Sequence, residues 1–237
     1  MPISQDSIQV WIVRVAGQAM ERWRPVLSAS EWERAMRFRM PADQARFAVT
    51  RGVLRTLLGR YLQLPGTAIA FTANEYGKPA SDGGIKFNVA HSGDYALLAF
   101  TRDIEVGVDV ERMSGDRVVG ELARRVLSPG EYERFGALAE SERVPTFFQI
   151  WTLKEAVLKA IGSGLSIAPE CVEVAFYPDE PRLIGCSAKE IDDVNEWTVR
   201  SVSIGDDGYA AAVAVRMKMP VIGMKRFTES DLPADVR

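Results

Sequence analysis

The sequence contains few of the residues that form disulfide frameworks and zinc centres. Its 237 residues include two cysteines, Cys171 and Cys186, and one histidine, His91. Two cysteines are too few for the several bridges of a disulfide miniprotein, and an ordinary zinc site needs more cysteine and histidine ligands than the chain has. Any metal ion that binds this chain is therefore expected to have oxygen ligands.

Long hydrophobic runs are also missing. The longest apolar segments, such as residues 209–215, are far shorter than the roughly 20 residues that cross a bilayer. Asp6 lies within any segment that would serve as an N-terminal secretory signal. We therefore expect a cytoplasmic protein that does not bind membranes. With 47% hydrophobic and 26% charged residues, the chain can form one large core or two small ones.

Lysine is absent from the first 60 residues. This segment has ten arginines and five acidic residues, a net charge of +5, whereas the rest of the chain carries −8. Guanidinium groups bind phosphate and carboxylate through paired hydrogen bonds. A nucleic-acid-binding protein usually has a larger basic excess and a pI well above 5.4. The pattern favours a small phosphorylated ligand over nucleic acid, although a solvated helix face explains any single arginine equally well.

The hydrophobic pattern predicts helices followed by antiparallel strands, and this order occurs twice. In the first part we expect a strand over 8–13, helices from 32 and over 43–62, and strands near 69–72, 85–90, 95–101 and 104–110. In the second part we expect helices over 117–126, after Ser128-Pro129 and over 145–161, then strands at 172–177, 183–186, 197–204 and 209–215. The last fifteen or so residues, with Pro220 and Pro233 nearby, indicate a loosely held tail. The order favours an α+β fold, with an N-terminal half over 1–112 and a C-terminal half over 113–237.

Two carboxylates lie two residues apart at the end of the strand predicted over 104–110. The period of two places Asp109 and Glu111 on one face, with roots about 7 Å apart, and Val106, Val108 and Val110 on the other. Such a pair can share one divalent cation, because like charges disfavour each other without it. A solvated strand end would give the same pattern.

A second cluster lies on the long helix predicted over 145–161. Glu155 and Lys159 are one turn apart on one flank. The opposite flank is apolar: Ile150, Leu153, Val157 and Ile161. The polar flank can face a site, although a Glu–Lys pair at this spacing is also a common surface ion pair. Gly162-Ser163-Gly164 then ends the helix.

The single histidine belongs to a third cluster. His91 is followed by Ser92 at the end of the strand predicted over 85–90. No Gly-x-Ser-x-Gly motif surrounds Ser92, so a catalytic triad is unsupported and contact with a phosphate is favoured. A structural hydrogen bond is the alternative for His91.

Together, four ordered motifs resemble the signature of the 4′-phosphopantetheinyl transferases. They are Glu-Tyr-Gly-Lys-Pro at 75–79, Phe-Asn-Val-Ala-His-Ser at 87–92, Gly-Val-Asp-Val-Glu at 107–111 and Trp-Thr-Leu-Lys-Glu-Ala-Val-Leu-Lys at 151–159. The resemblance covers roughly residues 28–177 and is to the larger, monomeric class, which is typified by the enzyme that activates surfactin synthetase. It implies an α+β pseudo-dimer of two similar halves, each with helices packed on a small antiparallel sheet. Coenzyme A and Mg²⁺, or Mn²⁺ in its place, would bind between the halves.

The activity implied by the resemblance is transfer of phosphopantetheine from coenzyme A to a serine of an apo acyl or peptidyl carrier protein, with release of 3′,5′-ADP. Asp109, Glu111 and Glu155 would hold the metal, since Mg²⁺ prefers carboxylates and water. Glu155 would also act as the base, and Lys159 would hold a phosphate.

The resemblance also implies a set of coenzyme-binding residues. They are Lys78, Pro79, Asn88, His91, Ser92, Lys154 and Lys159, with Arg46 for the 3′-phosphate and Arg39 and Arg51 as alternatives to it. Two positions depart from the surfactin-type pattern, because Glu31 and Ser163 stand where that pattern has lysine. These departures concern how the outer phosphate is held.

A basic and apolar surface is predicted on residues 118–127 for an acidic helical carrier protein, with Arg124 and Arg125 beside Leu122 and Val126. An ordinary amphipathic helix has the same pattern. Two rival functions share the motifs: a non-catalytic relative that binds coenzyme A or a carrier protein, and a Mg²⁺-dependent phosphohydrolase that transfers to water.

Overall fold

The computed structural model describes residues 3–163, 166–187 and 189–236, without the side chains of 116–118. The helices are α1 (Ala29–Met36), α2 (Pro41–Leu62), α3 (Asp116–Val126), α4 (Pro129–Gly136) and α5 (Glu140–Ile161). The strands of the first half of the chain are β1 (Ser7–Arg14), β2 (Thr72–Ala73), β3 (Pro79–Ala80), β4 (Ile85–Ser92), β5 (Tyr95–Arg102) and β6 (Val106–Arg112). The later strands are β7 (Val172–Ala175), β8 (Arg182–Cys186), β9 (Thr198–Ser201), β10 (Tyr209–Val215) and β11 (Val221–Arg226).

The prediction of an α+β fold is confirmed, and most helices and strands lie where the sequence pattern places them. The prediction of a strand over 69–72 is wrong. A short 3₁₀ turn occupies Gly66–Ala68, and the strand that follows, β2, has only two residues, Thr72–Ala73. The long helix α5 begins at Glu140, before the expected start at Pro145. No helix in the described part of the chain is long and apolar enough to cross a membrane.

Two sheets lie at the centre of the molecule. One has the order β11-β1-β5-β4, in which β11 runs parallel to β1 and the other neighbours are antiparallel. The other has the antiparallel order β6-β10-β9. At their edges, the Val108 N–H donates to Asn88 Oδ1 (3.0 Å), so a side chain of β4 joins the two sheets.

Three buried cores follow from the alternation of side chains along the strands. On β1, Trp11 and Val13 pack with α2, whereas Ile8, Val10 and Ile12 pack toward the second sheet. A third core lies between α5 and the strands of the second sheet. Because both faces of the central strands are covered, these strands are apolar on both sides, as buried strands must be.

Strands from both sides of residue 112 contribute to each sheet. The strand β6, which precedes this position, pairs with β10, and β11 near the C-terminus pairs with β1. The division into halves 1–112 and 113–237 stays a prediction.

The C-terminal segment is not a loosely held tail, so that expectation is wrong. Residues Val221–Arg226 form β11 on the edge of the first sheet. Leu232 and Val236 are buried in the core beside α2. Pro220 and Pro233 flank the ordered strand and do not interrupt it, which explains why their presence was a poor guide to disorder.

Gly107 lets β6 lie directly against α5. A Cβ atom at this position would overlap with the carbonyl oxygen of Ala156 and the amide nitrogen of Ala160. Because backbone atoms cannot move aside as a flexible side chain can, a larger residue would push the strand from the helix. This contact brings Asp109, two residues further along β6, close to Lys159 on α5.

Candidate active site

The acidic residues of β6 and the polar flank of α5 meet at one place. Lys159 Nζ lies 2.6 Å from Asp109 Oδ1, and Asp109 is 3% exposed. The second oxygen of this carboxylate, Oδ2, is buried without a hydrogen-bond partner among the described residues. Ser92 Oγ donates to Glu111 Oε2 (2.8 Å) and accepts from the Arg112 N–H (3.0 Å). The structure therefore pairs Asp109 with Lys159 and Ser92 with Glu111, and Glu111 and Glu155 lie near enough for their charges to act on Asp109.

The three carboxylates influence one another electrostatically. Burial is the main cause that raises the pKa of Asp109 to about 7. The nearby Lys159 ammonium lowers this pKa, and the charges of Glu111 and Glu155 raise it further. Burial also raises the pKa of Glu155; Lys159 opposes this rise and Glu111 adds to it. Glu111 thus disfavours the ionised forms of Asp109 and Glu155, and Glu155 disfavours that of Asp109, which is the situation that a bound cation relieves.

The predicted three-carboxylate site is not assembled as a metal centre in this structure. Among the described residues, no group of three or more His, Cys, Asp or Glu side chains is arranged to hold a metal ion. In this arrangement the Lys159 ammonium bonds to one oxygen of Asp109, and the Ser92 hydroxyl bonds to one oxygen of Glu111.

A first cavity of about 530 Å³ opens beside these groups. Glu155 and Lys159 form its polar side, together with Asn88, whose Oδ1 is already bonded to Val108. Its other walls are the β2–β3 hairpin, Leu158 of α5 and the chain after α5: Tyr76, Gly77, Lys78, Pro79, Gly162, Ile167, Ala168 and Pro169. The volume is in the usual range for a small-molecule site.

A second cavity of about 550 Å³ shares Gly77 and Pro79 with the first. Its basic side chains are those of Arg34, Arg51 and His91, and Thr50 lies beside them. Arg51 lies over the ring of Phe71, with its guanidinium carbon 4.5 Å from the ring centroid.

Some hydrogen-bond donors at the second cavity have no acceptor among the described residues. Arg51 Nη1 and Thr50 Oγ1 are buried without partners among the described residues, as is Nε of the neighbouring Arg46. Burial lowers the pKa of Arg51, and the adjacent Arg34 and Arg55 lower it further. Burial and Arg46 likewise lower the pKa of His91. Positive charge and unused donors make this cavity suited to an anion.

Thr50 and Arg34 were missed by the sequence analysis. Phe47, Thr50, Arg51 and Leu54 line one face of α2 at three- and four-residue spacing. This spacing is visible in the sequence, but the same stripe is also typical of a helix packed on a core.

Glu31 replaces the expected lysine and has a structural role. Its carboxylate lies 2.7 Å from Arg55 Nε and 3.6 Å from Arg51 Nε, and it forms a capping box with Ser28 at the start of α1. The acid therefore lies beside Arg51 Nε, while Arg51 Nη1 has no partner among the described residues. Arg46 pairs with Asp43 (2.7 Å), and Arg39 is exposed and is not among the described residues lining either cavity.

Lys154 is not among the described residues that line either cavity. It is fully buried and lies 2.6 Å from Glu131, with further hydrogen bonds to Val126 O (2.8 Å) and Pro169 O (3.1 Å). Glu131 in turn accepts from the backbone N–H groups of Ser128 and Val174. The ion pair thus joins α5 to α4 and β7, a structural role that differs from the predicted contact with the coenzyme.

Ser163, the other departure from the surfactin-type pattern, follows the left-handed Gly162 that ends α5. Ser163 is buried, and its Oγ has no partner among the described residues. Gly164, also predicted in this turn, lies outside the described residues.

Known proteins are similar to this chain over most of its length. A profile of the 4′-phosphopantetheinyl transferase superfamily matches residues 105–214, and one of the N-terminal part of 4′-phosphopantetheinyl transferases matches 17–102. The 4′-phosphopantetheinyl transferase HetI of Nostoc sp. is 31% identical over 222 residues, covering 91% of this chain and 90% of HetI. The chain belongs to the 4′-phosphopantetheinyl transferase superfamily. The resemblance carried by the four motifs is confirmed.

Two further similarities are found, one to a protein sequence and one to a solved structure. The 4′-phosphopantetheinyl transferase Sfp of Bacillus subtilis is 29% identical, with 81% of this chain and 84% of Sfp covered. Holo-[acyl-carrier-protein] synthase of Thermotoga maritima has 28% identity and a TM-score of 0.37, over 48% of this chain and 64% of that one. This phosphopantetheinyl transferase is of the Sfp-like type, and its activity is transfer of phosphopantetheine from coenzyme A to carrier proteins.

Replacing Lys154 by alanine should destabilise this transferase without altering its affinity for coenzyme A. The change leaves Glu131 charged and buried, which typically costs about 3–5 kcal/mol of unfolding free energy. Denaturant unfolding measures the loss, and Lys218→Ala, at an exposed lysine, serves as the control with a change within about 0.5 kcal/mol. A stable Lys154→Ala protein with weakened coenzyme binding would restore the predicted binding role.

Proposed function

We propose that this enzyme transfers phosphopantetheine to a serine hydroxyl of an apo acyl or peptidyl carrier protein, acting as a cytoplasmic monomer and releasing 3′,5′-ADP. The main support is the meeting of Glu155, Lys159 and Asp109 at the edge of a cavity of small-molecule size. A proton acceptor and a cation are thereby adjacent, as transfer of a phosphorylated group to a hydroxyl requires.

Mg²⁺ fits the acidic residues by their chemistry. Asp109 has a buried oxygen without a hydrogen-bond partner in the described structure, and Glu111 and Glu155 raise its pKa through their charges. Carboxylate oxygens are the preferred protein ligands of Mg²⁺. Asp109, Glu111 and Glu155 would hold Mg²⁺, or Mn²⁺ in its place, and the bound ion would neutralise charge on the diphosphate of coenzyme A.

Glu155 is proposed to accept the proton of the serine hydroxyl. Its pKa is raised by burial, which makes the ionised carboxylate a stronger base. The serine oxygen forms a bond to the phosphorus that bears the pantetheine arm, while the bond from that phosphorus to the diphosphate bridge breaks and 3′,5′-ADP leaves with the electron pair. Lys159, on the wall of the first cavity, provides positive charge for the phosphate oxygens.

The second cavity is proposed to hold the 3′-phosphate of coenzyme A. The unused donor of Arg51 supports this role, and His91 lines the same cavity. Arg46 also has an unpaired Nε among the described residues and lies near enough to His91 for its charge to act on it. Both cavities meet at Gly77 and Pro79, so one extended ligand can reach into each of them.

Mass spectrometry of an apo carrier protein incubated with enzyme, coenzyme A and Mg²⁺ should show the gain of one phosphopantetheine arm. Glu155→Gln should lower the rate roughly 100- to 10,000-fold, since the amide cannot accept the proton, while calorimetry still detects coenzyme binding. Glu133→Gln, at an exposed glutamate of α4, is the matched control.

Two results would contradict this proposal. Substantial turnover by Glu155→Gln would exclude the base role. Release of 3′,5′-ADP in the absence of any carrier protein would indicate a hydrolase instead.

Replacing Arg51 by methionine should raise the KM for coenzyme A by roughly 10- to 100-fold, the effect of losing a hydrogen bond to a charged group. The KM for 3′-dephospho-coenzyme A should change little, because that substrate lacks the phosphate that Arg51 is proposed to bind. Steady-state assays with both substrates test this, with Arg39→Met at an exposed arginine as the control. Equal effects on the two substrates would assign Arg51 to another part of the ligand.

The carrier protein is proposed to dock on α3 and α4. Arg124 and Arg125 are exposed as expected, but Val126 is buried and cannot belong to the surface. The side chain of Val118 lies outside the described residues. Tyr132 on α4 is 41% exposed, with its hydroxyl 3.4 Å from Arg124 Nε, and supplies the apolar part that Val126 does not.

Reversing both charges, Arg124→Glu with Arg125→Glu, should raise the KM for the carrier protein and leave the KM for coenzyme A unchanged, because acidic partners are attracted by these residues. The matched control reverses the exposed Arg14 and Lys218, which alters net charge equally. If both double variants behave alike, the effect is one of overall charge and this surface is not the docking site.

A further inference from the structure

The β2–β3 hairpin is a wall shared by both cavities. Tyr76, Gly77, Lys78 and Pro79 line the first cavity, and the hairpin also contributes to the second. Each of its strands has only two residues, which pair Thr72 with Ala80 and Ala73 with Pro79. A two-stranded hairpin is marginally stable at best in water. Its position must therefore depend on contacts with the rest of the protein.

Asn74 shapes the hairpin turn and also ties it to α5. Its Oδ1 accepts hydrogen bonds from the backbone N–H groups of Tyr76 (3.0 Å) and Lys78 (2.8 Å). Its Nδ2 donates to the carbonyl oxygen of Gly162 (2.9 Å), the residue that caps α5 in the left-handed conformation. The amide oxygen of Asn74 thus stabilises the turn, and its amide nitrogen binds the hairpin to the end of α5.

The hairpin satisfies carbonyl groups at the end of a helix that lack partners within it. Asn74 bonds to Gly162 O, and Lys78 Nζ bonds to Ala160 O (3.3 Å). Lys78 Nζ also donates to Glu105 Oε2 (2.6 Å) and Val106 O (3.2 Å), so its three N–H groups all have acceptors. These bonds fix the hairpin relative to the helix that bears Glu155 and Lys159.

We propose that Asn74 is a positioning residue for coenzyme A. Its hydrogen bond to Gly162 holds the hairpin wall of the first cavity at the spacing that the coenzyme requires. This inference rests on the proposed function of that cavity. Asn74 is not among the described residues that line either cavity, so it acts through the hairpin. Loss of the bond weakens coenzyme binding and leaves proton transfer by Glu155 intact.

Asn74→Asp separates the two roles of the side chain. Aspartate keeps the oxygen that accepts from Tyr76 and Lys78, but replaces the donor to Gly162 with an oxygen that repels its carbonyl. The Kd and KM for coenzyme A should rise about tenfold, the upper range for loss of one hydrogen bond. The kcat and the KM for the carrier protein should stay within about twofold of the wild-type values.

Added negative charge could by itself weaken binding of a polyanionic coenzyme, and a double variant controls for this. Combining Asn74→Asp with Glu75→Gln, at an exposed neighbour, returns the hairpin to its wild-type net charge. The increase in Kd should persist in the double variant. Recovery of wild-type affinity would show a charge effect and overturn the positioning role.

Three further results have defined meanings. An unchanged Kd for Asn74→Asp, with normal binding by the wild type, would overturn this inference alone. A lower melting temperature with equal increases in both KM values would indicate a general structural defect and would also overturn it. Failure of the wild type to bind coenzyme A in calorimetry would overturn the proposed use of the cavity, and this inference with it.

Discussion

The direct backbone contact between β6 and α5 determines where the site forms. At Gly107 a side chain of any size would overlap with backbone atoms of Ala156 and Ala160, so the strand and helix approach as closely as two elements can. Asp109 is consequently buried against Lys159, and Glu155 lies near enough for its charge to affect the pKa of Asp109. The geometry of the acidic cluster is thus a consequence of packing, which also leaves a carboxylate partly without hydrogen bonds.

Local periodicity made part of this site predictable. Alternation along β6 placed Asp109 and Glu111 on one face, and helical spacing placed Glu155 and Lys159 on one flank of α5. Both rules depend only on neighbours in sequence. The pairing of Lys154 with Glu131 joins residues 23 positions apart on different helices, and no local rule predicts it. For the same reason the parallel pairing of β11 with β1 and the donors left unused by Thr50 and Arg51 were not anticipated.

The replacement of an expected lysine by Glu31 illustrates how the environment changes the role of a position. An acid in the arginine-rich first part of the chain would weaken an anion site if its charge were free. Here it is bonded to Arg55, lies near Arg51 and closes the cap of α1. The neighbouring Arg51 and Thr50 supply unpaired donors to the second cavity, so the cavity keeps its positive character through Arg51 on α2 together with Arg34 on α1.

Charged residues in this protein differ chiefly in whether their hydrogen bonds are complete. Lys154 and Lys78 have acceptors for all of their N–H groups, and both hold elements together. Asp109 and Arg51 are also largely buried, but each keeps an atom without a partner among the described residues. Because an unpaired buried polar atom costs free energy, a fold tolerates it where a ligand can complete the bonding. Lys154 and Lys159 belong to the same sequence motif but differ in their surroundings. Lys154 is buried, and all of its N–H groups have acceptors. Lys159 lines the first cavity beside Asp109, whose Oδ2 has no hydrogen-bond partner among the described residues. For these residues, incomplete bonding distinguishes Asp109 and Arg51, which lie at the proposed binding sites, from Lys154, which holds the surrounding elements together.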